Sequence, residues 1–334
     1  MRYRNLGSSG TLVSNLCLGT MTFGNETDAA GAHAQLDRFV EAGGNLVDTA
    51  DVYQKGVAEE LVGRWLRTRR RRDDLVIATK ARFAMGEGPN EAGLSRPWLM
   101  RAAEASLRRL QVETIDLYQA HCWDPRTPLE ETLATFDDLV RAGKVRYVGV
   151  SNFTGWQLQR ATLLARTSGW APVVTLQPQY NLLAREVEWE LVPLCLDEGV
   201  GILPWSPLGG GWLTGKYDRS RRPEGATRLG EDPDRGVEAY DKRNTERTWR
   251  VVEAVRDIAA ARGSTPAQIA LAWVGDRPGV SSTVLGARSV EQLEDNLGAA
   301  DLVLEPDERE LLDTVSAPGL PAYPYGFVAE LGAR

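Results

Sequence analysis

The chain alternates short apolar runs with longer segments in which apolar residues recur at helical spacing. Eight of these runs are rich in β-branched or apolar residues and are bounded by turn residues, which is typical of buried strands. They lie at 15–20, 45–49, 74–79, 114–120, 145–151, 173–178, 201–206 and 282–286. Eight strands are the number that a closed barrel of parallel strands requires.

Helix-length segments separate the apolar runs. Apolar residues recur every three or four positions at 28–42, 58–70, 96–110, 129–142, 155–165, 185–198 and 245–262. Alternating strands and helices are the pattern of a βα repeat, in which helices cover a parallel sheet. The sequence therefore predicts an α/β fold of the (β/α)8 TIM-barrel type. Residues 1–334 would form it as a single domain, a length that one barrel with loop insertions fills.

Two segments interrupt the repeat. Residues 1–15, with the turn-forming residues Gly7 and Gly10, predict an N-terminal β-hairpin that closes the bottom of the barrel. Residues 218–244 are charged and poor in apolar side chains, which predicts a long mobile loop after the seventh strand. This loop would lie on the mouth side, where it could cover a ligand. A disordered insertion without a role is the alternative.

Charge and cysteine content narrow the class of protein. Thirty-nine basic and 46 acidic side chains give a net charge of -7, which argues against a nucleic-acid partner. The basic run 67–72 ends a predicted helix, where its charge suits the helix dipole. Cys17, Cys122 and Cys195 are far apart and odd in number, which indicates no disulfide framework and favours a reducing cytoplasm. No apolar stretch has the length of a membrane span or the pattern of a signal peptide.

Two common types of site are not indicated by the sequence. No Gly-x-Gly-x-x-Gly motif follows a predicted strand, so a nucleotide would be bound by the barrel itself rather than by a Rossmann domain. Clusters of His, Asp and Glu at metal-ligand spacing are also missing. We therefore expect neither a bound metal nor a metal-dependent hydrolase.

Four polar residues end or follow three of the predicted strands: Asp48, Tyr53, Lys80 and His121. Taken singly, an aspartate such as Asp48 or Asp51 often only caps the next helix, and a lone histidine is as often structural as functional. A lysine that follows a buried strand is less ordinary, because its charge must reach solvent or pair with a carboxylate. Asp48 could supply that carboxylate. Since the carboxyl ends of parallel strands converge, we expect all four side chains at one mouth.

Together these four residues indicate proton transfer to a carbonyl group. A free tyrosine has a pKa of about 10, and a nearby lysine cation favours its phenolate. We expect Lys80, held by Asp48, to act on Tyr53 in this way. His121 would hydrogen-bond the oxygen of a bound carbonyl, and Tyr53 would act as the general acid of carbonyl reduction. A cofactor must supply the hydride, because no side chain can.

Several motifs in the same order resemble the aldo-keto reductase superfamily over nearly the whole chain. The run Asp48-Thr49-Ala50-Asp51-Val52-Tyr53 is similar to that family's signature around its catalytic aspartate and tyrosine. Further similar motifs lie at 19–24 (GTMTFG), 148–153 (VGVSNF) and 205–209 (WSPLG). The resemblance implies that NADPH lies extended across the barrel mouth. It is strongest to the branch of aryl-alcohol dehydrogenase-like proteins and potassium-channel β subunits.

The resemblance also implies a set of cofactor-binding residues. Ser151, Asn152 and Gln177 would hydrogen-bond the nicotinamide carboxamide, and Trp205 would stack on the nicotinamide ring. The whole implied set is Thr20, Met21, Asp48, Ser151, Asn152, Gln177, Trp205, Ser206, Pro207, Leu208, Gly209, Gly211, Lys216, Arg228, Gly286, Arg288, Gln292, Asp295 and Asn296.

Glycines are expected to border the pyrophosphate. Gly209, Gly210 and Gly211 would let backbone amides come close to it, with Lys216 nearby as a point charge. The chain departs from the family at Gly210, where a bulkier residue is more frequent. It departs again at Trp212, where a smaller apolar residue is common.

The residues at the end of the eighth predicted strand indicate which of the two nicotinamide cofactors, NADP(H) or NAD(H), is bound. The run Gly286-Ala287-Arg288-Ser289 opens a helix, and a helix N-terminus with an adjacent guanidinium suits a phosphate dianion. By the resemblance, Arg288 contacts the 2′-phosphate, and Gln292 and Asn296 lie near the adenine. Arg228 in the preceding loop would be a further contact. We therefore expect NADP(H) in preference to NAD(H).

Aromatic side chains are expected to form the wall of the substrate pocket. Phe23, Phe83 and Trp123, together with Met85 and Trp98, fall on predicted mouth loops beside Tyr53 and His121. Such a wall suits an apolar or aryl carbonyl, and large aromatic rings also stack on sugars. An aryl aldehyde, a diketone and a ketosugar all remain open as the small-molecule carbonyl substrate.

Several alternatives stay open at this point. The chain could be an NADP(H)-sensing regulatory subunit with little turnover, because potassium-channel β subunits resemble the same family. An unrelated barrel, such as a lyase or an isomerase, would leave the Ser151–Asn152 and Arg288–Gln292–Asn296 sets unexplained. The apolar segment 321–327 could pack on the barrel, border the substrate or meet another subunit, so the oligomeric state is open as well.

Overall fold

The N-terminal residues form a hairpin beneath a barrel. The computed structural model of the protein describes residues 1–68, 72–225, 227–234 and 236–332. Strands β1 (Tyr3–Asn5) and β2 (Leu12–Ser14) pair in antiparallel fashion. Leu6 and Val13 are fully buried and pack in one apolar cluster with Cys17 of the barrel. The hairpin therefore closes the barrel, as the sequence predicts.

Eight parallel strands form the barrel, and the predicted (β/α)8 fold is confirmed. They are β3 (Leu16–Gly19), β4 (Leu46–Asp48), β5 (Val76–Ala81), β6 (Ile115–Ala120), β7 (Val145–Ser151), β8 (Val173–Gln177), β9 (Gly201–Ile202) and β10 (Thr283–Leu285). Within the sheet they follow the order β10, β3, β4, β5, β6, β7, β8, β9. Three backbone hydrogen bonds join the segments at the two outer strands: from Ile202 N–H to the Gly279 carbonyl at 2.8 Å, from Ser281 N–H to the Ile202 carbonyl at 3.0 Å, and from Val284 N–H to the Pro204 carbonyl at 2.9 Å.

Helices pack side by side around the outside of the strands. They are α1 (Ala29–Glu41), α2 (Val57–Leu66), α3 (Arg96–Leu110), α4 (Leu129–Arg141), α5 (Gly155–Ser168), α6 (Leu191–Glu198), α7 (Arg228–Glu231), α8 (Tyr240–Arg243), α9 (Glu246–Arg262), α10 (Pro266–Gly275), α11 (Val290–Leu297), α12 (Pro306–Ser316) and α13 (Phe327–Gly332). Among the residues that the structure describes, no helix is long and apolar enough to cross a membrane. Residues 69–71 of the basic run 67–72 lie outside the described part of the chain.

Helices α10, α12 and α13 are not among the predicted helices. Helix α10 has no apolar stripe, because eight of its ten residues are buried. A helix that is apolar on all sides shows little amphipathic periodicity, so its pattern resembles that of a buried strand. Its start is nevertheless marked in the sequence by a capping box between Thr265 and Gln268 and by Pro266 at the first helical position.

Two predicted elements are shorter than expected. The strand expected at 201–206 ends at Ile202, and Pro204 has no N–H with which to continue a ladder. The helix expected at 185–198 is divided into a 3-10 turn, Glu186–Glu188, and α6. Pro193 lies in the first turn of α6, the part of a helix that tolerates proline.

The long connection at 218–244 follows β9, and Thr227 and Arg228 within it border the barrel mouth, as the sequence predicts. Its described residues include α7, α8 and a 3-10 turn, Gly236–Glu238, so the segment is not irregular throughout. Leu229 and Tyr240 are buried, and the Tyr240 ring stacks on Trp212 with the ring centroids 5.5 Å apart. A few apolar side chains therefore anchor this mostly charged segment to the barrel.

Candidate active site

The structure brings the four residues of the predicted tetrad to one end of the barrel. Asp48 is the last residue of β4, Lys80 is the next to last of β5, and His121 directly follows β6. Tyr53 begins the 3-10 turn Tyr53–Gly56 after β4. These strands are neighbours in a parallel sheet, so their carboxyl ends point to the same mouth.

A buried ion pair lies at the centre of this group. Lys80 Nζ lies 2.5 Å from Asp48 Oδ2 and donates to the Thr49 carbonyl at 2.8 Å. The two charged side chains are only 0% and 3% exposed. Gln177 Nε2 donates to Asp48 Oδ1 at 2.9 Å, so both carboxylate oxygens have partners. Charges buried this deeply require such partners, which fix the position of the lysine.

The Tyr53 hydroxyl lies beside this ion pair, 3.4 Å from Lys80 Nζ. Burial raises the pKa of Tyr53, and although Lys80 lowers it as predicted, the net pKa lies above its usual value. Burial also acts to lower the pKa of Lys80, but the Asp48 carboxylate and Tyr53 outweigh this and raise it. At neutral pH the pair is therefore a protonated phenol beside a lysine cation, which is the state that a proton donor needs.

His121 lies across from Tyr53, with the ring centroids 5.8 Å apart and the planes at 79°. The Phe83 ring packs against its edge at 4.8 Å. Burial, together with the charges of Lys80 and Arg82, holds the pKa of His121 well below its usual range. Its Nδ1 atom has no hydrogen-bond partner among the described residues. His121 is therefore a neutral imidazole, which can donate one hydrogen bond to a carbonyl oxygen.

A cavity of about 620 Å³ contains Tyr53, His121 and Phe83 in its lining. With one exception, the cofactor-binding residues implied by the resemblance line the same cavity. These are Thr20, Met21, Asp48, Ser151, Asn152, Gln177, Trp205, Ser206, Pro207, Leu208, Gly211, Lys216, Arg228, Gly286, Arg288, Gln292, Asp295 and Asn296. The exception is Gly209, whose neighbour Gly210 lines the cavity instead.

The residues expected at the nicotinamide form one hydrogen-bond network. Ser151 Oγ donates to the Gln177 carbonyl at 2.8 Å, and Asn152 Nδ2 donates to Ser151 Oγ at 3.0 Å. Trp205 Nε1 donates to Asn152 Oδ1 at 3.0 Å. Asn152 Nδ2 also reaches the backbone carbonyl of His121 at 3.0 Å. The network therefore fixes the Trp205 ring relative to the tetrad.

The departures at Gly210 and Trp212 have structural causes. Gly210 has a φ of 66°, and a Cβ atom there would lie 2.5 Å from the carboxylate of Glu238. The Glu238 carboxylate accepts a hydrogen bond from the Ser206 hydroxyl. A larger residue in place of Gly210 would therefore have to displace a carboxylate that is held in position. Trp212 is fully buried against Tyr240 and fills the space under the long connection.

Three cations surround the part of the cavity where a phosphate is expected. Lys216, Arg228 and Arg288 line the same cavity, and burial, followed by the charges of Arg288 and Arg228, lowers the pKa of Lys216. Arg228 also approaches the Glu238 carboxylate at 3.8 Å. The backbone at Gly211, with a φ of 97°, runs alongside Lys216. Converging cations beside exposed backbone are suited to the phosphates of a dinucleotide.

The side of the cavity where the adenosine is expected is formed by the start of α11. Ser289 caps this helix, and Gln292 Oε1 accepts from the backbone N–H of Arg288 at 2.9 Å. Asp295 Oδ2 accepts from Thr265 Oγ1 at 3.1 Å. Thr265 and Glu26 also line the cavity but were not predicted. The capping box of α10 marks Thr265 in the sequence, whereas Glu26 lies in a loop with no signal of its own.

The predicted substrate wall is only partly present. Phe83 lines the cavity, whereas Trp123 packs edge-on against Phe153 and Trp156 at 5.2 and 5.3 Å. Phe23 is 0% exposed in the hydrophobic core, so its assignment to the substrate pocket is corrected. The turn at 20–27, closed by the bond from Gly24 N–H to the Thr27 carbonyl, folds this ring inward.

Tyr325 of the C-terminal segment packs on the barrel, whereas Tyr323 and Phe327 of the same segment are exposed. The Tyr325 hydroxyl donates to Glu190 at 2.6 Å, and its ring lies against Trp189 with the centroids 5.5 Å apart. Met85 and Trp98 border a different depression, next to Asp51 and helix α3. These residues therefore add no wall to the cavity around Tyr53.

The donor set of the cavity fits an organic phosphate. It combines guanidinium and ammonium groups, glycine backbone, and amide side chains. Among the described residues, no group of three or more His, Cys, Asp or Glu side chains is placed to hold a metal ion. Cys17, Cys122 and Cys195 are free thiols.

The sequence is similar to known proteins over nearly its whole length. It matches the aldo/keto reductase family over residues 15–317. An uncharacterized oxidoreductase of Bacillus subtilis is 37% identical over 324 residues, covering 94% of this chain and 96% of the relative. A probable voltage-gated potassium channel subunit beta of Arabidopsis thaliana is 37% identical over 310 residues (91% and 92%). Norsolorinic acid reductase of Aspergillus flavus is 35% identical over 338 residues (97% and 82%). The chain therefore belongs to the aldo/keto reductase family.

Proposed function

We propose that the protein is an NADPH-dependent reductase that converts an aldehyde or ketone to an alcohol, with Tyr53 as the general acid. The observation that carries this proposal is the position of the Tyr53 hydroxyl, 3.4 Å from the buried Lys80 ammonium and facing a neutral His121. A protonated phenol between a fixed cation and a hydrogen-bond donor suits a carbonyl oxygen that gains negative charge.

Each member of the tetrad has a distinct part in the proposed reaction. His121 donates a hydrogen bond to the substrate carbonyl oxygen and orients it toward Tyr53. When bound, NADPH supplies a hydride to the carbonyl carbon. The Tyr53 hydroxyl gives its proton to the oxygen, and the Lys80 ammonium stabilises the phenolate that remains. Asp48 keeps Lys80 in place through the contact at 2.5 Å.

The cofactor residues support NADP(H) over NAD(H) in this proposal. Arg288 lies at the start of α11, where the helix dipole and a guanidinium both favour a phosphate. Lys216 and Arg228 add positive charge to the same cavity. Ser151, Asn152 and Gln177 would bind the carboxamide of the nicotinamide, with Trp205 stacked on its ring.

We propose an apolar or aryl carbonyl as the substrate class. Phe83 and Val52 line the cavity beside Tyr53, and Phe83 packs directly on His121. Two of the relatives are named norsolorinic acid reductases, so reductases of an organic compound occur among the proteins similar to this chain. Aryl aldehydes, diketones and ketosugars therefore form the panel to test. The free thiols are compatible with a reducing cytoplasm as the working location.

The deciding experiment follows the loss of NADPH absorbance with this substrate panel for the wild type and Tyr53→Phe. The variant keeps the ring and loses only the hydroxyl, so we expect the turnover number to fall by roughly 10²- to 10⁴-fold. NADPH binding, measured by quenching of tryptophan fluorescence, should stay close to that of the wild type. Equal turnover of the two proteins would contradict the role of Tyr53.

The same experiment tests a second function, an NADP(H)-sensing regulatory subunit. Similarity to plant potassium channel β subunits is the observation that favours it. A sensor would bind NADPH tightly, yet the wild type would show negligible turnover with every carbonyl in the panel. Absence of NADPH binding would contradict both functions.

A further inference from the structure

The guanidinium of Arg288 lies between two carboxylates. Arg288 Nη2 is 2.7 Å from Glu231 Oε2, and Nη1 is 3.2 Å from Glu231 Oε1, which makes a bidentate ion pair. Arg288 Nη2 is also 3.5 Å from Glu26 Oε1. A bidentate partner occupies one edge of the guanidinium fork, the same geometry with which arginine holds a phosphate.

The two carboxylates come from different parts of the barrel mouth. Glu26 precedes α1 and is 19% exposed, and its side chain lines the cavity. Glu231 ends the short helix α7 in the long connection after β9 and is 48% exposed. The Arg288–Glu231 pair therefore ties the long connection to the start of α11 across the cavity.

We infer that Glu231 occupies the position of the cofactor's 2′-phosphate on Arg288 and competes with it, so that this carboxylate sets the preference between NADPH and NADH. The inference rests on the proposed function, since it concerns the cofactor of that same site. The Arg288–Glu231 pair itself includes no residue of the tetrad.

Charge and geometry support competition rather than joint binding. A phosphate dianion placed on the same edge of Arg288 would face the Glu231 carboxylate at close range, and like charges repel. Glu231 must therefore leave before the phosphate can take both guanidinium nitrogens. NADH has no 2′-phosphate, so its binding does not require Glu231 to leave Arg288.

Glu231, rather than Glu26, is the carboxylate that the phosphate displaces from Arg288. Its pair with Arg288 is partly exposed, and such pairs contribute little to stability and exchange partners readily. It lies on a four-residue helix in a connection that few apolar side chains anchor. Glu26 is more buried and only approaches Arg288 at 3.5 Å, so it lowers phosphate affinity without blocking the fork.

The test measures the binding of four nucleotides by fluorescence quenching and calorimetry: NADPH, NADH, 2′,5′-ADP and 5′-AMP. The proteins are the wild type, Glu231→Gln and the matched control Asp232→Asn. Asp232 is exposed on the same segment, so its substitution removes the same formal charge. For Glu231→Gln we expect roughly two- to fivefold tighter binding of NADPH and 2′,5′-ADP. Binding of NADH and 5′-AMP should not change, and Asp232→Asn should behave like the wild type.

Repeating the binding measurements at several salt concentrations gives a second test, because salt screens exposed ion pairs. The increase in NADPH affinity of Glu231→Gln over the wild type should become smaller as ionic strength rises. Unchanged or weaker binding of NADPH to Glu231→Gln would overturn this inference alone, as would an equal gain in Asp232→Asn. If the wild type binds neither NADPH nor 2′,5′-ADP, the proposed function fails and the inference fails with it.

Discussion

The two ends of the cavity hold their charges in different ways. At the end proposed for catalysis, here called the catalytic end, Asp48 and Lys80 lie on barrel strands, are almost fully buried and are 2.5 Å apart. At the end proposed for phosphate binding, here called the phosphate end, Arg288 and Glu231 lie outside the strands and are 24% and 48% exposed. A buried pair is costly to break, whereas an exposed one exchanges its partner for little free energy. The barrel therefore holds the tetrad in a fixed position, whereas the ion pair at the proposed phosphate site can exchange its partner.

The largest effect should follow from breaking the buried pair. Lys80→Met leaves Asp48 as an uncompensated buried charge, so we expect the free energy of unfolding to fall by about 3–5 kcal/mol. Reductase activity should also disappear, because Tyr53 loses its cation. Urea unfolding followed by tryptophan fluorescence measures the loss of stability.

A double variant separates stability from chemistry at this end. Lys80→Met with Asp48→Asn removes both charges and keeps an oxygen that can accept from Gln177 Nε2. We expect it to recover much of the lost stability while activity stays absent. If the double variant were as unstable as Lys80→Met alone, the unpaired charge would not be the cause.

The next effect concerns Asp51, a carboxyl group behind the tetrad. Asp51 is 0% exposed, and no side chain among the described residues forms a hydrogen bond with its carboxyl oxygens. Burial, and then the charge of Glu59, raise its pKa to about 7, although Arg109 and Lys80 oppose the shift. An acid with a raised pKa holds its proton more tightly in the folded state than in the unfolded one.

The sign of the pH dependence follows from this shift. Between about pH 4 and pH 7 the unfolded chain releases the Asp51 proton while the folded protein keeps it, so stability falls as pH rises. Above about pH 7 both states are ionised and the loss is complete. Asp51→Asn removes this titration. We expect the variant to match the wild type near pH 4 and to be more stable at pH 8, by no more than about 4 kcal/mol.

Urea unfolding of both proteins at several pH values measures this difference. The comparison cancels the titration of other groups, including His121, whose lowered pKa acts in the opposite direction. A stability difference that does not grow with pH would show that Asp51 is not protonated in the folded protein. In that case the Asp51 carboxyl group would be ionised in the folded protein at every pH tested.

The convergence of the tetrad could be predicted from the sequence, whereas the surroundings of Arg288 could be predicted only in part, for a physical reason. Asp48, Lys80 and His121 end or follow apolar strands, and the topology of a parallel barrel brings such positions together. Glu26 and Glu231 lie in connections, whose conformation depends on contacts that no local pattern encodes. Arg288 was predicted, but its two carboxylate neighbours were not.

Errors at single residues have the same origin. Phe23 follows a strand on the mouth side, yet a tight turn folds its ring into the core. Lys80 lowers the pKa of Tyr53 as its charge predicts, but burial, which a sequence does not give, decides the net direction. Helix α10 is buried on nearly all sides and so lacks the stripe by which helices are recognised.

A smaller effect on stability should follow from breaking the exposed pair. Arg288→Met removes a charge that is 24% exposed, so we expect the free energy of unfolding to change by less than about 1 kcal/mol. NADPH affinity should fall by roughly tenfold or more, because a bidentate contact to phosphate is lost, while NADH affinity stays similar. Calorimetry with both cofactors measures this. A loss of stability as large as that of Lys80→Met would remove the contrast between the two ends.

The smallest effect on cofactor binding is expected at Thr265, where the phosphate end joins the core. Its hydroxyl accepts from Gln268 N–H at 3.3 Å at the start of α10 and donates to Asp295 at 3.1 Å. Thr265→Ala removes this cap, so stability should fall by about 1 kcal/mol. Thr265→Ser keeps the hydroxyl and should stay within a few tenths of the wild type. Because Asp295 lines the cavity, NADPH affinity should weaken slightly in the alanine variant alone. A loss of several kcal/mol in urea unfolding would mean that this part of the phosphate end is as rigidly built as the tetrad.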